Sequence, residues 1–114
     1  AGHMGKRLIA ALEETLDDIP YVGDVRGKGL FAGVELVSDR ITKQPFPTDS
    51  NVGHKIEHKA IKKGLLVLAG VPGLVQGVGG DHIELVPPYV IDDTHVDFIV
   101  TTLRESILEV CENA

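Results

Sequence analysis

With 114 residues, 43% of them hydrophobic and 25% charged, the chain has the make-up of one globular domain able to bury a core without staples. A formal charge of −6 is the wrong sign for nucleic acid or an anionic membrane, and no apolar run approaches the roughly 20 residues that span a bilayer. The single Cys111 cannot make an internal disulfide and no signal segment opens the chain, so a cytoplasmic setting is expected.

Residues 6–18 are expected to be helical. Leu8, Leu12 and Leu16 recur at i, i+4 and i+8 while Glu13, Glu14, Asp17 and Asp18 lie off that face, and Pro20 ends the segment. Tyr21–Val25 has room for a short strand. From Leu30 to Val37 the period becomes two: Leu30, Ala32, Val34 and Leu36 face one way, and Phe31, Gly33, Glu35 and Val37 the other. Residues 38–50, with two prolines and few apolar side chains, read as a connection. A second helix should start at an Asp49 or Ser50 N-cap, bury Val52, Ile56 and Ala60, and stop at Gly64.

Leu65–Leu68 is a short apolar strand. The glycine-rich stretch 70–80 is a loop, and Ile83 and Leu85 alternate with His82, Glu84 and Val86 in a further strand before Pro87-Pro88. Asp92 caps a last helix striped by Val96, Ile99, Val100, Leu103, Ile107 and Val110. The predicted fold is α+β: a two-layer sandwich of helices packed on a small mixed or antiparallel sheet.

The stretch Gly27-Lys28-Gly29-Leu30-Phe31-Ala32-Gly33 has the look of a nucleotide-binding fingerprint. That chemistry needs a helix N-terminus after the glycines to aim N–H groups at a phosphate, and here the glycines lead into a strand. Gly33 falls inside that strand, which predicts a bulge or the close approach of another backbone.

His54-Lys55-Ile56-Glu57-His58 fits the H-x-x-E-H order of a zinc protease, with Glu57 as general base and Glu105 or Glu109 as a distant third ligand. Lys55, Lys59, Lys62 and Lys63 would repel the metal, and a solvated helix face is the better reading.

The segment "VGDVRGKGLFAGVELV" (22–37) with "TKQPFP" (42–47) resembles the small C-terminal domain of class III, fold-type I aminotransferases. "KKGLLVLAG" (62–70) and "DHIELVPPYVIDDTHVDFIVTTLRESILEV" (81–110) resemble the same domain in the same order. The resemblance implies that residues 5–114 are this domain, without the large domain that binds pyridoxal 5'-phosphate (PLP). It further implies partners in that large domain and a second subunit, and an amino group moved from an amine or amino acid to a 2-oxo acid.

Arg26, Gly27 and Gly29 match the family motif as structural positions. No catalytic or cofactor-binding residue is expected in this segment, since no lysine has the apolar surroundings of a Schiff-base nucleophile. Glu84, His82 and Gln76 are the substrate-channel candidates. Glu84 stands where several relatives place a carboxylate-binding arginine, which implies rejection of acidic substrates. A stand-alone interaction domain without catalysis is the alternative, and a large exposed apolar patch would count against it.

Overall fold

The computed structural model describes residues 2–28, 31–65, 67–69, 81–85 and 92–113. Its elements are helix α1 (Gly2–Leu16), strands β1 (Val22–Lys28) and β2 (Phe31–Leu36), a short 3-10 turn (Thr48–Ser50), helix α2 (Val52–Lys62), strands β3 (Leu68–Ala69) and β4 (Asp81–Leu85), and helix α3 (Asp93–Cys111). The sheet runs β1-β2-β4-β3 with every pairing antiparallel. The expected choice between mixed and antiparallel is thereby decided, and the two-layer α+β arrangement holds.

Period-two patterning builds the core. On β2 the side chains of Ala32, Val34 and Leu36 are buried, and their cross-strand neighbours Ile83 and Leu85 on β4 join them. Leu8, Leu12 and Leu16 of α1 pack onto this layer, as do Val52, Ile56 and Ala60 of α2 and Val96, Leu103 and Ile107 of α3. All three helices therefore share one side of the sheet.

The region 21–25 holds more strand than expected, and the reason is a bulge. Val22 pairs with Leu36 but Asp24 pairs with Glu35, so Gly23 is the extra residue. The bulge shifts the alternation by one, which lets Val22 and Val25 both face the core although they are three apart. A Cβ built on Gly23 would lie 2.8 Å from Glu35 Oε1 and 2.9 Å from Val37 Cγ1, so only glycine fits. The same crowding buries Val37, which the alternation had placed with the outward set. Of the two readings offered for Gly33, a bulge or the close approach of another backbone, the bulge is found at Gly23 instead. Gly33 pairs regularly, and a Cβ added there meets no described atom within 4 Å.

Helix boundaries moved where capping overrode pattern. α1 stops at Leu16, before Pro20 is reached, and arginines supplied by other elements satisfy its C-terminal carbonyls. Arg40 donates to the carbonyls of Leu16, Asp17 and Val22, and Arg104 of α3 donates to Thr15 O while gripping both carboxylate oxygens of Asp18 at 2.6 and 2.9 Å. α2 begins after the 3-10 turn, with Asn51 rather than Asp49 or Ser50 at the N-cap position, in a left-handed conformation that Asn tolerates.

α2 ends in a Schellman motif, Leu65 N bonding Ala60 O at 2.8 Å and Gly64 N bonding Ile61 O at 3.0 Å, with Gly64 at φ +94. β3 begins three residues later than expected because Leu65 and Val67 enter the core before pairing begins. At the start of α3, His95 N donates to Asp92 Oδ1 and Asp92 N donates to His95 Nδ1, a reciprocal cap with histidine in the place usually held by Glu or Gln.

Gly23→Ala should lower unfolding free energy by about 1–3 kcal/mol in urea denaturation, since Val37 is walled in and cannot yield. The Arg104 guanidinium holds the Asp18 carboxyl below its usual pKa of 3.8. A carboxyl depressed on folding stabilises above its unfolded value and loses that contribution as pH falls through the folded one. Asp18→Asn should therefore lower Tm at pH 7, with the gap to wild type closing as pH drops below the ordinary carboxylate range.

Candidate functional site on the open sheet face

The side of the sheet away from the helices carries the chemistry-bearing residues. Register places Arg26 of β1, Gly33 of β2, Glu84 of β4 and Leu68 of β3 in one row across all four strands, with Asp24, Glu35 and His82 in the next. Each lies out of phase with the core set, and none of these side chains is buried. Arg26 Nε donates to Asp24 Oδ2 at 2.6 Å and Nη2 to Glu35 Oε2 at 3.3 Å. The Asp24 carboxylate, with Glu35 behind it, raises the Arg26 pKa further above its ordinary value. His82 Nε2 lies 3.5 Å from Glu84 Oε1.

Of the residues singled out from sequence, Arg26, His82 and Glu84 thus share one surface. Gly27 lies within β1 opposite Ala32. Gln76 and Gly29 lie outside the described residues. Asp24 and Glu35 had not been singled out, although the alternation of β2 already put Glu35 on the outward side.

The face is polar rather than an apolar patch. Among the described residues the exposed large hydrophobics are Ile41, Ile61, Leu68 and Phe98, taken from four parts of the chain, and of these only Leu68 lies on the open sheet face. No described helix is long and apolar enough to cross a membrane.

The histidine pair on α2 does not make a metal centre with the acids proposed for it. Among the described residues no group of three His, Cys, Asp or Glu side chains converges. Glu57 Oε2 instead accepts the Ala69 backbone N–H of β3 at 2.9 Å, while Oε1 lies 3.6 Å from His54 Nδ1. Glu105 and Glu109 both pair with Lys63, at 3.5 and 3.4 Å. His54 and His58 border a groove of about 480 Å³ between α2 and the end of α3, where Lys55 and Lys59 oppose a cation.

A nucleophilic amine needs a lowered pKa, whereas the Glu109 carboxylate raises that of Lys63. Lys43 donates to Gly23 O, and Lys6, Lys55, Lys59 and Lys62 are exposed.

Comparison with known proteins places this geometry. An uncharacterized aminotransferase of Schizosaccharomyces pombe is 41% identical over 107 residues, which is 94% of this chain and 23% of the relative. An adenosylmethionine-8-amino-7-oxononanoate aminotransferase of Nitratidesulfovibrio vulgaris is 34% identical over 105 residues, 92% of this chain and 18% of the relative. The chain therefore spans about a fifth to a quarter of the length of these relatives.

Among solved structures, a transaminase of the marine bacterium Virgibacillus superimposes with TM-score 0.87 at 29% identity, covering 98% of this chain and 24% of the other. An (S)-enantioselective omega-transaminase of Thermomicrobium roseum gives TM-score 0.79 at 30% identity, over 96% of this chain and 22% of that one. The family model for aminotransferase class-III matches residues 1–107, and the chain belongs to that family.

Proposed function

We propose that these residues are the C-terminal small domain of a PLP-dependent class-III aminotransferase, and that the open sheet face helps wall the substrate channel. The observation carrying this reading is a family match over residues 1–107 that occupies only a fifth to a quarter of each relative. The cofactor, when bound, supplies an aldehyde and an electron sink for moving an amino group. The lysine, the pyridinium partner and the phosphate cradle it requires belong to the large domain, so this chain by itself is inactive. The parent is a cytoplasmic homodimer that moves an amino group from an amine or amino acid to a 2-oxo acid.

Glu84 is the residue of this domain that bears on substrate choice. Its side chain is 53% exposed on the open face, at the position where the family resemblance implies an arginine for a substrate carboxylate. A carboxylate there repels an acidic substrate and favours an amine or a cationic end, with His82 at 3.5 Å able to share its charge.

Two measurements test the reading. PLP followed by borohydride should leave no stoichiometric lysine adduct on this chain and one on the full-length parent; a single-site adduct on this chain overturns the assignment of roles. In the parent, Glu84→Arg should raise kcat/KM for dicarboxylic amino donors by about tenfold, the equivalent of one favourable charge contact. An unchanged donor range would remove Glu84 from the channel.

A further inference from the structure

The helix face that fails as a metal centre has a second property. Among the described residues Lys55 and Lys59 pair with no carboxylate, whereas Lys63, at the end of the same helix, takes both Glu105 and Glu109. Like charges four apart on one helix repel, and nothing in the described fold offsets that repulsion. His54 and His58 occupy the neighbouring row of α2, also four apart. All four side chains border the groove of about 480 Å³ between α2 and the end of α3. The carboxylate that also borders it, Glu109, is held by Lys63 at 3.4 Å. Two ammonium groups are thus left without a counter-charge in a chain whose formal charge is −6.

We propose that this groove is a binding site for a small organic phosphate. Charge, donor type and size favour that ligand. A phosphate ester carries roughly −1.5 to −2 charge at pH 7 and three acceptor oxygens, which matches two ammonium groups. Each imidazole offers at least one ring N–H, and the Asn51 amide, whose side chain makes no cap bond to α2, offers a further donor. A carboxylate would bring less charge, and the two-pronged pairing that recognises it calls for arginine, whereas the described cations of the groove are lysines. The volume lies within the roughly 300–1,000 Å³ of small-molecule sites, more than a bare phosphate fills. Val110, 7% exposed, and the aliphatic stems of the lysines give the organic part an apolar wall. The site lies on the helix side of the sheet and stands independently of the aminotransferase reading.

Calorimetric titration of this chain with ribose 5-phosphate at about 50 mM NaCl should give a Kd below about 1 mM, with ribose silent and inorganic phosphate at least about fivefold weaker. Lys55→Gln and Lys59→Gln should each weaken binding about three- to tenfold, and the double variant should abolish it. Lys6→Gln on α1, which changes net charge by the same amount, should leave Kd within about twofold. With one repulsion removed, the double variant should keep its Tm or gain about 1–3 °C. Ribose 5-phosphate at about 10 mM should raise the wild-type Tm by at least about 3 °C and leave that of the double variant where it was. In the wild-type chain, amide NMR shifts on adding the same probe should cluster at residues 51–59 and 109–113.

A Kd above about 1 mM, amide shifts centred elsewhere, or equal binding by the double variant overturns the proposal. So does an equal loss in Lys6→Gln, which would mark a response to net charge alone. Inorganic phosphate that matches ribose 5-phosphate would mark an adventitious ion only. Hexaglutamate that displaces ribose 5-phosphate at tenfold lower concentration would assign the face to an acidic protein partner and equally overturn it.

Discussion

The alternation of Ala32, Val34 and Leu36 with Gly33 and Glu35 along β2 sets which side of the sheet the helices take, and the rest of the architecture follows. A strand has two faces, and β2 commits only one of them to apolar side chains. Ile83 and Leu85 of β4 repeat the choice, so the inner layer is continuous across the two central strands. α1, α2 and α3 then gather on that side, each with a buried stripe, and cover one surface. The opposite surface keeps Asp24, Arg26, Glu35, His82 and Glu84 accessible as a charged plane with a bare centre at Gly33.

A second constraint joins the helices at their ends. α1 closes on an acidic turn and has no basic residue of its own in the last turn. Its carbonyls are satisfied by guanidinium groups from elsewhere, Arg40 from the 38–50 connection and Arg104 from α3. Arg40 belongs to a loop fastened to itself: Asp39 pairs with Gln44, and Asp39 Oδ1 accepts from Ile41 N and Thr42 N. Lys43 reaches from the same loop to Gly23 O, at the bulge. The end of α1, the bulge in β1 and the connection after β2 are therefore one cooperative unit. The helix-terminal dipole and unpaired carbonyls explain why cations converge there.

Much of the fold was legible because it rests on local periodicity. The stripes of α1, α2 and α3, the inward set of β2, the stop at Gly64 and the cap at Asp92 all follow from side-chain spacing and backbone preference. Elements whose cause is non-local were harder to read. Val22-Gly23-Asp24-Val25 shows no alternation until Gly23 is known to be a bulge, and that requires β2 to lie beside it. The roles of Arg40 and Arg104 depend on partners 18 to 89 positions away, although the acidic turn after α1, with no Gly or Lys to close it, was a signal that a cap must come from outside. The cap made by His95 has no plain signal in the sequence, because a histidine in the reciprocal cap is not the usual residue.

The sequence alone determined the family and the one-sided core, since motif order and the two- and 3.6-residue periods are properties of neighbouring positions. Tertiary structure decided what those residues meet. Pairing register put Arg26, Gly33 and Glu84 in one row, Glu57 became the acceptor for the Ala69 N–H rather than a general base, and the crowded glycine proved to be Gly23 and not Gly33. The physical reason is the same in each case: a side chain's role is fixed by the group across from it, and strand register and helix docking choose that group over distances no local pattern encodes.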